Sequence, residues 1–264
     1  MPTSSKARQP LPAFIGGSGV YALDGCGGAK PKPVVTPYQS EPTTVFEYVN
    51  GTSPCLFLPR HGAKHQLAPH QINYRANLWS LKQAGAGCVV AFNAVGGISD
   101  DMQPGTLCIP DQLIDYTWGR ESTFHELGGV GGLASLHVDF TEPYNADLRI
   151  QVLEAAKEIG LSIVDGGVYG CTQGPRLETA AEIRRLARDG CGLVGMTGMP
   201  EAVLARELGL PYCSITLVVN RAAGLDANAL DISDIDRHLS EGVGKVQRLA
   251  IAALPRLQSV ALRG

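Results

Sequence analysis

Short apolar runs bounded by glycine, proline and polar clusters recur along the chain. Runs of this length, rich in branched residues and lacking polar alternation, are typical of strands buried on both faces of a sheet. They therefore predict a buried sheet. The predicted strands cover residues 13–15, 55–59, 88–93, 107–110, 167–169, 193–196 and 212–219.

Segments with a helical period lie between these runs. The predicted helices cover residues 73–83, 146–159, 179–189 and 200–207. Near the C-terminus, apolar residues recur at spacings of three and four, which indicates one face of a long helix. This apolar face comprises Ile232, Ile235, Leu239, Val243, Val246 and Leu249.

Strands that alternate with helices predict an α/β protein with a mixed, mostly parallel β-sheet flanked by helices. The chain has 264 residues, of which 44% are hydrophobic, enough for one large core. We expect a flexible N-terminal tail over residues 1–12 and a single domain over residues 13–264.

Charge and cysteine content exclude several classes of protein. The 22 Lys and Arg residues are balanced by 25 Asp and Glu, so there is no net basic field for nucleic acid or an anionic membrane. No apolar run approaches the ~20 residues of a membrane span, and the first ten residues lack the apolar core of a signal peptide. The seven cysteines show no metal-ligand spacing. We expect a cytoplasmic protein with reduced thiols and no metal.

Small and polar residues follow the ends of four predicted strands. They are Ser18, Arg60 with His61, Asn93 with Ala94, and Met196 with Thr197. Hydroxyls, backbone N–H groups and a guanidinium are the groups that bind a small oxyanion. We expect these four strand ends to meet at one crevice, where α/β proteins build ligand sites.

Each of these motifs also has a simpler interpretation. Residues 17–22 fit the glycine fingerprint of dinucleotide-binding proteins, but Pro31, Pro33 and Pro37 exclude the long helix that this fingerprint requires. Thr197 could serve only as a helix cap. Glu178, in the polar loop over residues 172–179, could only offset a helix dipole.

Taken together, five segments resemble the purine nucleoside phosphorylase and methylthioadenosine phosphorylase family. They are Gly-Gly-Ser-Gly at 16–19, Arg-His-Gly at 60–62, Asn-Tyr-Arg-Ala-Asn at 73–77, Gly-Pro-Arg at 174–176 and Gly-Met-Thr-Gly-Met-Pro-Glu at 195–201. The resemblance extends in order over nearly the whole chain. It implies a homotrimer with active sites between subunits and phosphorolysis of a purine nucleoside with inversion at the anomeric carbon. Phosphate is then a co-substrate, with no cofactor, metal or covalent intermediate.

The resemblance also assigns individual residues. Phosphate would be bound by Ser18, Arg60, His61, Asn93, Ala94 and Thr197. The nucleoside would contact Met196, His65, Leu177, Glu178, Asn220, Arg221, Ala222, Ile232, Ile235 and, from a neighbouring subunit, His137. Methylthioadenosine phosphorylases usually carry Thr at positions 18 and 93, so the hydroxyl is retained at Ser18 and replaced by an amide at Asn93.

The predicted base site departs from the adenosine members of the family, which carry two Asp residues where this chain has Asn220 and Ala222. An amide can donate to O6 or N7 of a 6-oxopurine, which a carboxylate cannot do. Glu178, within Leu-Glu-Thr, resembles the glutamate that accepts N1–H in 6-oxopurine phosphorylases. We expect Asn220 and Glu178 to be the catalytic residues that stabilise the leaving base.

The predicted sugar site differs from that of phosphorylases of ordinary nucleosides, which place a His where Ile232 and Ile235 lie here. An apolar wall suits a 5'-methylthio group and leaves a hydroxyl unpaired. The two isoleucines could instead be core residues, and His238 could reach the sugar. We expect a 6-oxopurine nucleoside with a 5'-methylthio group; methylthioadenosine and ordinary 6-oxopurine nucleosides are the alternatives. A nicotinamide-dependent oxidoreductase and a non-catalytic purine-binding module are alternatives from other classes.

Overall fold

The chain folds around an eleven-stranded sheet in a computed structural model that describes residues 9–125, 137–226 and 232–263. The strands are β1 Leu11–Gly16, β2 Gly27–Val34, β3 Thr43–Asn50, β4 Ser53–Pro59, β5 Ala86–Gly97, β6 Leu107–Ile109, β7 Gln112–Asp115, β8 Val164–Asp165, β9 Val168–Cys171, β10 Cys191–Gly195 and β11 Tyr212–Arg221. All the predicted strands are present within these bounds or overlap them.

The sheet is mixed and mostly parallel, as predicted. Its main path runs β2, β3, β4, β1, β5, β10, β9, β7, and β11 pairs with β5 and carries β6 and β8. Strand β1 is parallel to β4 and β5, and β11 is parallel to β5. Strand β10 runs antiparallel to the end of β5. The C-terminal ends of β1, β4, β5 and β11 therefore lie together.

Helices cover both faces of the sheet. They are α1 Tyr74–Ala84, α2 Ala146–Glu158, α3 Ala180–Arg188, α4 Glu201–Glu207 and α5 Ile232–Ala261. Helices α1 and α4 bury apolar side chains in one core cluster, and α2 and α5 bury theirs in a second. On α5, Val246 and Leu249 are buried, and Ile235, Leu239 and Val243 pack against the same core. The predicted apolar face of this helix is confirmed.

The sheet differs from the sequence prediction at the start of β1 and in four strands that were not predicted, β2, β3, β7 and β8. Strand β1 begins at Leu11, which is buried, so the ordered domain starts two residues before the predicted boundary; residues 1–8 of the predicted tail lie outside the described residues. Strands β2 and β3 were missed because β2 contains Pro31 and Pro33. Strand β2 pairs with β3 alone, and an edge is where a sheet tolerates proline.

The cysteines are reduced, and the described residues contain neither a membrane-spanning helix nor a metal-binding cluster. All seven cysteines are free thiols, and all but Cys26 are buried. Among the described residues, no helix is both long and apolar enough to cross a membrane. Among the described residues there is also no group of three or more His, Cys, Asp or Glu side chains that could hold a metal ion.

Candidate active site

A cavity of about 410 Å³ opens at the C-terminal ends of β1, β4, β5 and β11. Its walls contain thirteen of the residues predicted from the sequence. These are Ser18, Arg60, His61, His65, Asn93, Ala94, Leu177, Glu178, Met196, Thr197, Asn220, Ala222 and Ile235. The four strand ends therefore meet at one crevice, as expected.

Asn93 reaches the cavity from a different position than its pattern predicted. The apolar run was expected to end at Asn93, but β5 continues through Gly97. The strand is longer because Gly96 and Gly97 pair with Val194 and Leu193 of β10. Asn93 therefore lies inside a strand, where its backbone is held by neighbours on both sides.

The guanidinium of Arg60 is buried at the end of the cavity and is held from behind by Glu201. Nε donates to Oε2 at 2.7 Å and Nη2 donates to Oε1 at 2.8 Å, and neither side chain is exposed. Burial lowers the pKa of Arg60, but the Glu201 carboxylate outweighs this and keeps the pKa above its ordinary value. Arg60 is therefore charged, and its charge is largely compensated.

This pairing changes how Arg60 can bind an anion. The Nε and Nη2 edge is taken by Glu201, and Nη1 donates to the Phe92 carbonyl at 2.8 Å. One N–H remains on each of Nη1 and Nη2, since a guanidinium has five N–H groups. Gly17 permits this arrangement, because a Cβ there would lie 2.7 Å from Nη1.

His61 lies beside Arg60 with its tautomer set by the backbone. Nδ1 is 2.8 Å from the Leu67 carbonyl, which can only accept, so Nδ1 carries the proton. Burial, together with the Arg60 charge, lowers the pKa of His61 to about 4. The neutral ring therefore presents the lone pair of Nε2, which accepts a hydrogen bond, for example from the hydroxyl of a protonated phosphate.

Thr197 is held by a buried amide and does not cap the following helix. The N-cap of α4 is Pro200, without a side-chain hydrogen bond. Instead, Asn93 Nδ2 donates to Thr197 Oγ1 at 2.7 Å, and Asn93 Oδ1 accepts from Ser214 Oγ at 2.6 Å. The Thr197 hydroxyl accepts from the amide and keeps its own proton.

Glu178 and Glu182, which lie four residues apart, have different roles in the structure. Glu182 completes the capping box of α3 with Thr179 and pairs with Arg176 through two contacts of 2.8 Å. Glu178 instead lines the cavity, where its Oε1 accepts from Thr172 Oγ1 at 2.6 Å. The other carboxylate oxygen is left to accept from a ligand.

Asn220 faces the cavity from the end of β11. Its Nδ2 donates to the Arg221 carbonyl at 2.7 Å, which fixes the orientation of the amide because a carbonyl can only accept. One N–H and the Oδ1 of Asn220 remain. Glu178 and Asn220 thus bring an acceptor and an amide into the same cavity.

The remaining wall is formed by apolar and aromatic side chains. His65 packs against His61 with the ring centroids 4.3 Å apart and the rings tilted by 38°, and Tyr21 contacts the His65 ring edge-on at 5.4 Å. Ile235 and Leu239 line the cavity on the α5 side, together with Asp236. Sequence analysis missed Asp236 because it precedes two charged or polar positions on an exposed helix face; His238, which it considered, is absent from the lining.

Three predicted site residues are not among the described residues that line the cavity. The Arg221 guanidinium is outside the lining and donates to the carbonyls of Ile98, Ser99 and Met102; a substrate contact by this residue stays a prediction. His137 is exposed and is not part of the lining; its contribution from a neighbouring subunit stays a prediction. Ile232 begins α5, and its side chain lies outside the described residues.

Arg120, which was not predicted from the sequence, contacts both the segment that carries Thr197 and the loop that carries Glu178. Its guanidinium donates to the carbonyls of Met196 and Thr172, and at 2.8 Å to that of Gln173. The loop that carries Glu178 is thereby joined to the segment that carries Thr197. A single Arg in a polar loop gave no signal for this role.

Comparison with known proteins agrees with the family resemblance found in the sequence. Residues 13–255 match the Phosphorylase superfamily. A probable S-methyl-5'-thioinosine phosphorylase of Pseudomonas syringae pv. tomato is 48% identical over 239 residues, covering 89% of this chain and 94% of that protein. A 6-oxopurine nucleoside phosphorylase of Pyrococcus furiosus is 41% identical over 253 residues, covering 93% of this chain and 92% of that protein.

A solved structure has the same fold. Methylthioadenosine phosphorylase from Schistosoma mansoni, in complex with adenine, matches with a TM-score of 0.87 and 29% identity, over 95% of this chain and 93% of that chain. With the sequence matches, this likeness defines the class: the chain belongs to the Phosphorylase superfamily. Among its similar proteins are phosphorylases whose names contain methylthioinosine, 6-oxopurine nucleosides and methylthioadenosine.

Proposed function

We propose that this protein cleaves S-methyl-5'-thioinosine with inorganic phosphate, giving hypoxanthine and 5-methylthioribose 1-phosphate for purine salvage. The observation that carries the proposal is the placement of Glu178 and Asn220 in the cavity that also holds Arg60, His61 and Thr197. The relatives at about half identity whose names contain this substrate support it.

The base contacts favour a 6-oxopurine. The oxygen of Glu178 that does not accept from Thr172 accepts N1–H, which adenine lacks. The remaining N–H of Asn220 donates to O6 or N7. The Asn220 contact strengthens as the base gains negative charge, so it stabilises the transition state more than bound substrate, whereas the Glu178 contact selects and orients the 6-oxopurine.

The phosphate contacts position the nucleophile. A phosphate oxygen bonds to C1' while the C1'–N9 bond breaks and its electron pair enters the purine. The base takes up one proton at N7 from solvent, and the hydrogenphosphate that becomes the sugar phosphate releases one, so charge and protons balance. Arg60 and Thr197 donate to phosphate, and His61 accepts from its hydroxyl. Ser18 and the backbone at Ala94 complete the site. The anion beside the sugar also stabilises the developing positive charge on the ribose.

The side chains around the 5' position of the sugar decide between two candidate substrates. Ile235 and Leu239 favour a methylthio group, since an apolar wall leaves a 5'-hydroxyl unpaired. Asp236 lies in the same lining and could accept from a 5'-hydroxyl, which favours an ordinary 6-oxopurine nucleoside as the second candidate.

We further propose a cytoplasmic homotrimer in which His137 of a neighbour approaches the sugar. The family resemblance supports the trimer. Seven free cysteines are consistent with a reducing compartment.

The decisive experiment compares S-methyl-5'-thioinosine, S-methyl-5'-thioadenosine and inosine, each with and without phosphate. We expect phosphate-dependent release of hypoxanthine, fastest from S-methyl-5'-thioinosine. Faster cleavage of the adenosine compound would contradict the assignments of Glu178 and Asn220. Cleavage without phosphate would indicate a hydrolase, and binding without cleavage a purine-binding module. Faster cleavage of inosine would favour the role of Asp236.

A further inference from the structure

Strand β11 carries a buried hydroxyl that touches the proposed site through one intermediate group. Ser214 is 1% exposed and lies among the apolar residues of this strand. Its Oγ donates to Asn93 Oδ1 at 2.6 Å, and Asn93 Nδ2 donates to Thr197 Oγ1 at 2.7 Å. Thr197 lines the cavity, whereas Ser214 does not.

The direction of this chain of hydrogen bonds matters for Thr197. Because its Oγ1 accepts from the Asn93 amide, the Thr197 proton can be donated into the cavity. If the Asn93 amide turned over, its oxygen would face Thr197 and take up that proton. The NH2 group would then face Ser214, whose own proton would lose its acceptor.

We propose that Ser214 is a positioning residue for the nucleophile: it holds the Asn93 amide in the orientation that leaves the Thr197 hydroxyl free to donate to phosphate. This inference rests on the proposed function. Ser214 touches neither phosphate nor nucleoside, so it acts through Asn93. It explains why a polar side chain occupies a fully buried position behind the site.

The same strand provides a matched control. Thr216 lies two residues further on, so its side chain is on the same face of β11, and it is also fully buried. Its Oγ1 donates at 3.0 Å to the Cys108 carbonyl of the neighbouring strand β6, and it is not part of the cavity lining. Thr216 pairs with Asn93 in the strand register, but its hydroxyl makes no hydrogen bond to the Asn93 amide, so Thr216→Val deletes a buried hydrogen bond beside Asn93 and leaves the bonds of the amide in place.

The experiment compares Ser214→Ala with Thr216→Val, measuring KM for phosphate, KM for the nucleoside and kcat. We expect Ser214→Ala to raise KM for phosphate by roughly 3- to 10-fold, the size of one hydrogen bond, with KM for the nucleoside within about twofold. Thr216→Val should leave both KM values unchanged. Equal phosphate KM values in Ser214→Ala and wild type, or equal increases in the two variants, would overturn the inference.

Two further variants test the route and guard against misfolding. Ser214→Ala added to Asn93→Ala should produce no further rise in the phosphate KM, because Ser214 has nothing left to orient; an additional rise would contradict a route through Asn93. Ser214→Cys keeps a weak donor and should give a phosphate KM between those of wild type and Ser214→Ala; if Ser214→Ala is insoluble, a Cys variant with unchanged phosphate KM overturns the inference.

The proposed function can fail separately. Wild-type enzyme that releases base without consuming phosphate would refute the phosphorylase reaction whatever the variants do. Phosphate-dependent wild-type activity with no effect at Ser214 would refute only the positioning role.

Discussion

The Glu201 carboxylate spans the Arg60 guanidinium with two hydrogen bonds of 2.7 and 2.8 Å, and both side chains are fully buried. Tyr212 donates to the same carboxylate at 2.9 Å. The side chain expected to be the strongest cation of the phosphate site is therefore part of an internal ion pair. Its orientation is set by the protein before any anion arrives, which reduces the reorganisation needed on binding.

Breaking this pair should destabilise the protein strongly. Glu201→Gln leaves the Arg60 charge buried without its counter-ion, and we expect a loss of about 3 to 5 kcal/mol in the free energy of unfolding. Urea unfolding measures it. Glu158→Gln, which breaks the exposed contact with Arg256, is the control and should have a much smaller effect. Equal losses in the two variants would mean that the buried pair contributes no more to the free energy of unfolding than the exposed one.

Asn220 should control which purine is cleaved. Asn220→Asp places a carboxylate against the 6-carbonyl, so efficiency on S-methyl-5'-thioinosine should fall about 10- to 100-fold, the cost of an unpaired acceptor. The ratio of kcat/KM on S-methyl-5'-thioinosine to kcat/KM on S-methyl-5'-thioadenosine should fall as well. Asn220→Ala should lower turnover with little effect on KM for phosphate. Unchanged turnover in Asn220→Ala would remove this residue from the base site.

Gly174 should be required for the position of Met196. A Cβ at Gly174 would lie 2.5 Å from Met196 Sδ, and the backbone φ is +63°. Gly174→Ala should therefore push Met196 out of place and raise KM for the nucleoside about tenfold, roughly 1.4 kcal/mol. Steady-state kinetics with varied nucleoside measure it.

Gly160 supplies the control for this substitution. Its φ is +65°, and a Cβ there meets no atom within 4 Å. Gly160→Ala therefore costs about the same backbone strain, ~1 to 2 kcal/mol, without a steric clash. Its nucleoside KM should match wild type; an equal rise in both variants would attribute the effect to backbone strain alone.

His61 should make stability depend on pH. Burial lowers its pKa to about 4, whereas the unfolded chain titrates near the ordinary value of about 6.5. Between these values the unfolded state binds more protons, so stability is fully present above about pH 6.5 and is lost as the pH falls towards 4. The loss from pH 7 to pH 5 should be about 1 to 2 kcal/mol.

Chemical denaturation of wild type and His61→Gln at the two pH values measures this contribution. The variant should lose less stability on acidification than wild type. His70→Gln removes an exposed imidazole, and this variant should lose as much stability between pH 7 and pH 5 as wild type does. Identical pH dependence in wild type and His61→Gln would show that His61 is not held neutral by the fold.

The long periodic segments and the strand-end motifs were predictable from the sequence. Helix α5 and the strand over Tyr212–Arg221 have enough apolar residues at regular spacing to identify their type. Strand β2 was not predictable, because proline and lysine on an exposed edge carry no hydrophobic alternation. Asn93 was misplaced within its strand since small residues after an apolar run resemble a loop.

Which residues line the cavity was easier to predict from the sequence than what each of them does there. The resemblance assigned Glu178 to the base site, and packing places it in the cavity, while Glu182 completes the cap of α3. The Arg221 side chain, next to Asn220, is outside the lining because adjacent residues of a strand face opposite sides.

The sequence by itself determined the class of fold and the set of strand ends that meet at the cavity, because these depend on local spacing and residue type. The family resemblance singled out Asn220 and Glu178, and both line that cavity. Only the tertiary structure decided that Glu201 compensates Arg60 and that Ser214 orients Asn93 toward Thr197. Glu201 lies 141 residues from Arg60 along the chain, and Ser214 lies 121 from Asn93. Contacts between residues so distant are made by the pairing of strands and the packing of helices, and no local pattern carries them.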